Sequence, residues 1–235
     1  MSHSIQPPAQ NRLLAALPAI DRRRFTERCE LVDLTVADAL YEPGAPIRHV
    51  YFPTTSFVSL VTPGPGHDRM EVGLVGDEGM LGASLVLGVG RASLLARVQG
   101  AGAAWQMDAK SFRQAVDGDG GLKPVLQRYI HVVMCQLAQS AVCTRFHVVE
   151  ARVARWLLMS RDRAHSNEFH VTHEFMASVL GVRRAGVTRA ASALHARNLI
   201  RYSRGDVRIM DRRGLESATC GCYAVDRQTY AAIMN

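Results

Sequence analysis

No apolar run in this 235-residue sequence approaches the roughly 20 residues that a membrane-spanning helix requires. The longest near-apolar stretch, Ala83–Val89, is ASLVLGV. The opening MSHSIQPPAQ has neither a basic start nor an apolar core, so no secretory signal is expected there. Cysteine is sparse, at positions 29, 135, 143, 220 and 222, without the spacing of a disulfide framework, and a reducing, cytoplasmic location is the simpler expectation. Lysine is rarer still: only Lys110 and Lys123, although Lys and Arg together number 28. Catalytic patterns are also missing. No Ser or Cys has a paired base at recognisable spacing, and no strand-like run holds the His-x-His pair of a metal-dependent jelly-roll enzyme. A non-enzymatic protein is expected.

What is there is unevenly placed. Residues 1–150 hold 14 Lys+Arg against 14 Asp+Glu, whereas residues 151–235 hold 14 Arg against 7 Asp+Glu. The whole net charge of +7 therefore lies in the C-terminal part. A general bias toward Arg codons explains the residue type but not its position. Local basic excess is the footprint of a polyanionic partner, and arginine suits bidentate phosphate and guanine contacts.

Within that basic part, Thr172–Ile200 (THEFMASVLGVRRAGVTRAASALHARNLI) reads as two short helices about a tight turn at Gly181. Met176, Leu180 and Val182 supply apolar contacts to the first helix and turn; Val187, Ala190 and Leu194 supply those of the second at spacings of three and four. Ala177 is small where crossing helices approach, and Gly181 tolerates a positive φ. Arg184, Ala185, Thr188 and Arg189 fall on the opposite face. This is the pattern of a helix-turn-helix whose second helix enters a major groove. Thr172 stands at an N-cap position, and Leu199–Tyr202, a Ser203–Asp206 turn and Val207–Met210 spell a hairpin wing.

The preceding chain changes texture twice. After a lead-in expected to be disordered (1–10), Asn11–Leu34 reads as short helices interrupted by Pro18. Between Val32 and Met107, short β-type runs (Val50–Phe52, Phe57–Val61, Met70–Val75, Leu94–Gln99) alternate with Pro/Gly turns, which predicts an antiparallel barrel or jelly roll. After Gly120-Gly121 a long helix is predicted over Leu122–His147. Its positions Leu126, Ile130, Val133, Leu137, Ser140 and Thr144 alternate in steps of four and three, a heptad seam suited to a twin helix. A helix over Val149–Ser160, with an Arg152/Arg155 face, and another over Arg212–Thr219 complete the expected elements; Cys220-Gly221-Cys222 reads as a tail feature.

The stretches LYEPGAPIRHVYFP, EVGLVGDEGMLG and VTHEFMASVLGVRRAGVTRAASALHARNLI, in this order with the wing, resemble the Crp-Fnr family of bacterial transcription regulators. The resemblance runs from about Asn11 to Met210. It implies an α+β fold: a cyclic-nucleotide-binding-like sensor β-barrel (double-stranded β-helix or jelly roll) at 11–120, a dimerisation helix at 121–148 and a winged helix-turn-helix at 149–235. It also implies a homodimer on a two-fold operator in double-stranded DNA, RNA polymerase as a further partner, and an unidentified small effector. Carried over by position, Arg184, Ala185 and Arg189 are the base-reading residues, and Thr172, Arg183, Thr188 and Arg204 contact the backbone. Ala185 stands where relatives often carry Glu, so the half-site sequence is expected to differ from the usual one. The effector cassette falls on Gly82, Ser84, Arg91 and Ser93, but its Glu is missing and Arg91 is displaced from Ser93 by one residue. The polar pair that meets adenine in cyclic-AMP receptors is Leu137-Ala138 here. Cyclic AMP is therefore not the expected effector; a haem, another small molecule or no ligand at all are the alternatives, and no cofactor is specified. Cys29 alone does not make an iron–sulfur cluster site.

Other motifs are weak. His173-Glu174 begins like a zinc-protease motif but has Ala177 at the second His position. His170 and His173 lack a third ligand nearby in sequence, and one Cys-x-Cys is a poor metal signal. The principal rival reading is a ligand-binding signalling module whose C-terminal helices contact proteins rather than DNA.

Overall fold

The computed structural model describes residues 10–64, 69–118 and 121–234. The expectations for 1–9, for Pro65-Gly66 and for Gly120 lie outside them. Two short helices open the chain, α1 (Arg12–Ala15) and α2 (Ala19–Thr26), separated at Pro18 as expected. Buried Asn11 caps α1 by accepting from the Leu14 N–H at 3.0 Å, while its amide nitrogen donates to the carbonyls of Pro53 and Gly79. One side chain thus satisfies backbone groups of three segments.

Seven strands follow: β1 (Glu30–Leu34), β2 (Ala39–Tyr41), β3 (His49–Pro53), β4 (Phe57–Pro63), β5 (Arg69–Val75), β6 (Leu95–Gly100) and β7 (Gly102–Asp108). They form two antiparallel sheets, ordered β1-β7-β3 and β2-β6-β4-β5. Leu34, Tyr51 and Ala104 of the first meet Val58, Val75, Ala96 and Val98 of the second in one buried cluster. Two packed antiparallel sheets are the jelly-roll form of the expected β-domain; no closed barrel is formed by strand pairing among the described residues. Packing of the inner faces, rather than closure of the hydrogen-bond ladder, joins the sheets. Helix α3 (Ala109–Asp117), capped by Asp108, was not anticipated from sequence.

The glycine-rich turn after β5 has a packing reason. A Cβ on Gly79 would lie 2.2 Å from the Tyr129 hydroxyl, and one on Gly76 would lie 2.7 Å from the Arg163 side chain. Tyr129 belongs to α4 (Leu122–Phe146), the long helix predicted over Leu122–His147. Its seam divides differently from the heptad reading. Leu126 is 1 % exposed within the protein's own core, and half-buried Val133 packs against that core. The outward apolar stripe is instead Ile130, Met134, Leu137 and Ala141, with Met134 62 % and Leu137 41 % exposed. The helix lies against its own β-sandwich on one side, which consumes half of the predicted seam.

Beyond the His147-Val148 joint come α5 (Val149–Ala164), β8 (Glu168–His170), α6 (His173–Leu180), α7 (Arg184–Ala196), β9 (Ile200–Ser203), β10 (Asp206–Ile209) and α8 (Arg212–Ala218). The third sheet has the order β8-β10-β9. The expected tail is a helix, α9 (Cys222–Met234), which turns back along α4. Its Tyr230 hydroxyl donates to the Glu78 carbonyl at 2.9 Å, and Met234 is buried in the N-terminal core. Two further ties join the C-terminal helices to the sandwich. Arg163 pairs with Glu78 at 2.6 Å, and Trp156 Nε1 donates to the Glu71 carboxyl group at 2.8 Å.

Candidate nucleic-acid interface

The helix-turn-helix packs as its apolar spacing predicts. Met176, Ala177, Val179 and Leu180 of α6 and Val187, Ala190, Ala191 and Leu194 of α7 share one buried cluster with Val153, Leu157 and Leu158 of α5 and Val207 and Ile209 of the wing. Thr172 caps α6 by accepting from the Phe175 N–H at 3.1 Å. Gly181 ends it in the left-handed region at φ +61°, and the Val182 N–H returns to the Ala177 carbonyl, which closes the turn.

The opposite face is open. Arg183, Arg184, Ala185, Thr188 and Arg189 are all exposed. Arg183 occupies the N-cap of α7 without a side-chain capping bond. Arg184 has a distant partner in Glu174 at 3.8 Å, both side chains being mostly exposed. Arg183 and Arg189 make no ion pair among the described residues. At the wing tip, Arg204 at φ +51° and Gly205 at φ +93° form the two-residue hairpin turn. Both central residues have positive φ, as the right-handed twist of a hairpin favours. A Cβ on Gly205 would lie 2.5 Å from the His170 ring. Arg204 projects from this turn, exposed.

His173 joins α6, α7 and the wing, a role sequence reasoning did not assign. Its ring stacks on Tyr202 of β9 at 4.1 Å between centroids, and its Nδ1 lies 3.1 Å from the Thr188 hydroxyl. Burial, and secondarily nearby Arg184, lower its pKa, so the neutral ring is favoured. His170 does not join it at a metal site; its Nδ1 lies 2.9 Å from Asp206 across the β8–β10 pair. The signal that could have found His173 was its position one residue after the cap, but its partners lie far along the chain.

The basic excess divides into two populations. Arg152 and Arg155, expected to present a face of α5, are each 8 % exposed. Arg152 donates to the Leu180 carbonyl at the end of α6, and Arg155 pairs with Asp226 at 2.6 Å. These guanidinium groups hold the domain together rather than meeting a polyanion.

Of the proposed effector residues, Gly82, Ser84 and Ser93 line a pocket of about 220 Å³ with Tyr41, Leu60, Tyr129 and Val133. Arg91 is not among its lining; its guanidinium donates outward to the Gly44 carbonyl at 2.6 Å. Among the described residues no Arg or Lys lines the pocket to neutralise a cyclic phosphate there.

A family model described as the Crp-like helix-turn-helix domain matches residues 151–218. No curated protein matches the chain by sequence. Among solved structures, FixK2 from Bradyrhizobium japonicum superposes with a TM-score of 0.69 at 16% identity, covering 82% of this chain and 98% of its own. CLP, a c-di-GMP responsive global regulator from Xanthomonas campestris, gives 0.66 at 15% identity, with 83% and 100% covered. TTHB099, a CRP-family transcriptional regulator from Thermus thermophilus, gives 0.66 at 18% identity, with 80% and 95% covered. Identities this low carry the fold, while the family match carries the DNA-binding domain. The chain thus places a Crp-like helix-turn-helix domain within the fold of the Crp/Fnr-type DNA-binding transcription regulators.

Proposed function

We propose that the protein acts as a homodimer on a two-fold DNA site, with α7 in the major groove and the wing along the backbone. The observation that carries this reading is the open face of α7 and the wing: exposed arginines without strong internal partners, mounted on a rigid helix-turn-helix. Arg184 and Arg189 read base edges, each able to engage guanine O6 and N7. Ala185 offers an apolar contact in place of a carboxylate acceptor. Thr172, Arg183, Thr188 and Arg204 set register on the phosphates. Thr172 uses an oxygen lone pair for its cap, which leaves its O–H free to donate.

The outward stripe of Ile130, Met134, Leu137 and Ala141 on α4 supports pairing with a second copy. The same helix presents Tyr129 and Val133 to the pocket around Gly82, Ser84 and Ser93. An effector occupying that pocket would press on the dimer helix directly. The apolar lining supports a small uncharged molecule and disfavours cyclic AMP.

Binding to DNA of selected sequence, measured across a salt series, tests the proposal. Affinity should fall by orders of magnitude between low and moderate salt. Arg189→Ala should lose preference for the selected site by about 10- to 100-fold while retaining most non-specific binding. Equal discrimination by parent and variant would refute the assignment of α7 as the reading helix, and salt-independent association would favour the protein-contact alternative.

A further inference from the structure

The fold brings four metal-ligating side chains together at the joint between the long helix and the DNA-binding part. Cys143 and His147 stand four residues apart at the end of α4, on one side of the helix. Cys220 and Cys222 flank the turn into α9. The ligand atoms of all four lie within 4.8 Å of one another. Among the described residues no other group of three or more His, Cys, Asp or Glu does so. Cys143 Sγ is 3.5 Å from Cys220 Sγ, and Cys222 Sγ is 3.4 Å from His147 Nδ1.

Both separations come within about 0.3 Å of the edges of a zinc tetrahedron, and the remaining ones are short enough for one ion to reach all four ligands. Zinc bonds of about 2.3 Å to sulfur and 2.0–2.1 Å to nitrogen imply edges of about 3.8 Å between sulfurs and about 3.6 Å between sulfur and nitrogen. They do not match a disulfide, whose sulfurs lie about 2.0 Å apart. We propose that Cys143, His147, Cys220 and Cys222 form a structural Cys3His site for a thiophilic divalent cation, Zn²⁺ by its ligand set. Binding releases the thiol protons to solvent and leaves three thiolates and a neutral imidazole around the metal. The centre then carries a net charge of −1.

The surroundings suit that charge. Arg152 is a buried guanidinium without a carboxylate partner among the described residues; its bond goes to the neutral Leu180 carbonyl. Arg155 faces Cys143, although Asp226 is its principal partner. An uncompensated buried cation is costly, and an anionic metal centre supplies the counter-charge. Gln139 Nε2 donates to Cys222 Sγ at 3.0 Å, a contact that orients the ligand.

The four residues bracket the matched DNA-binding domain, residues 151–218, on both sides. A metal there ties together positions 77 residues apart and fixes the His147-Val148 joint through which α4 meets α5. Closing so long a loop restricts the unfolded chain most. The site is a staple between the long helix and the domain it carries, and its assignment stands whether or not α7 reads DNA as proposed.

Metal analysis of the full-length protein purified under reducing conditions, followed by Co²⁺ exchange, tests the site. About one metal per chain is expected, with thiolate-to-cobalt charge transfer and the strong visible bands of tetrahedral cobalt. Cys29→Ser/Cys135→Ser should retain the metal and spectrum, and Cys222→Ser should weaken metal affinity by on the order of 100-fold or more. Should Cys222→Ser fail to fold, the cobalt spectrum of the unmodified chain decides. An unmodified chain that gives no tetrahedral thiolate spectrum, loss of metal from the Cys29/Cys135 variant, or a Cys143–Cys220 disulfide under those conditions would overturn the proposal.

Discussion

Replacing Arg152 by Met separates the two arginine populations. The substitution keeps an apolar stem of similar reach in the position between α5 and α6 but removes the guanidinium. The Leu180 carbonyl, one of the unsatisfied acceptors at the end of α6, then loses its buried donor. A hydrogen bond to a charged group contributes about 1.5–3 kcal/mol net. Burial pulls the Arg152 pKa below its ordinary value, so desolvation offsets part of that gain. The loss should therefore lie in the lower half of the range. At roughly 2–4 °C per kcal/mol for a chain of this size, the melting temperature should drop by about 3–9 °C. Thermal unfolding of parent, Arg152→Met and Arg189→Ala checks this. Arg189 is exposed and makes no ion pair among the described residues, so its removal should leave the melting temperature nearly unchanged while affecting DNA preference. An Arg152→Met protein as stable as the parent, or an Arg189→Ala protein destabilised as much as Arg152→Met, would refute this division.

Two further outcomes follow from the contacts between the sandwich and the C-terminal helices. Burial pushes the Glu71 pKa up from 4.5 to about 7, against the lowering effect of hydrogen bonds from Ser59 and Trp156. A raised folded-state value means that the native protein holds the proton more firmly, so this contribution to stability is full below about 4.5 and is lost as pH rises through about 7. Glu71→Gln should flatten the pH dependence of the melting temperature across that interval; an unchanged profile would count against a buried, protonated carboxyl. Gly79→Ala would place a Cβ 2.2 Å from the Tyr129 hydroxyl, and relieving that overlap should cost about 1–3 kcal/mol. In a double-mutant cycle with Tyr129→Phe, which removes the oxygen but leaves Cζ at 2.8 Å and unpairs the Met80 N–H, the pair should cost less than the sum of the two single variants in denaturant unfolding, and strict additivity would argue against the contact as the cause.

Local patterns were legible from the chain alone because they rest on near neighbours. The threes and fours of Val187, Ala190 and Leu194, the cap at Thr172 and the turn at Gly181 are determined within one or two helical turns, and all appear in the structure. So is the exposed face bearing Arg184 and Arg189, since burial of one helical side leaves the other outside. Which arginines remain outside was not local. Arg152 and Arg155 fit an amphipathic helix equally well on either side, and only the packing of α6 and α9 against α5 sealed them in. The α4 heptad had the same ambiguity: a repeat of threes and fours specifies an apolar seam but not what covers it, and the sandwich took Leu126. Arg91 and Ser93 are two residues apart, yet only Ser93 lines the pocket: Arg91 sits in an isolated bridge to Pro46 and Ser93 in the bend before β6, where the period-two alternation of a strand does not apply. The sequence by itself determined the two helices of the helix-turn-helix, the Thr172 cap of the first, the Gly181 turn between them and the long helix before them. Tertiary structure decided the division of the arginines, the open face of α4 and the meeting of Cys143 and His147 with Cys220 and Cys222, because each depends on residues that only folding brings within a few ångströms.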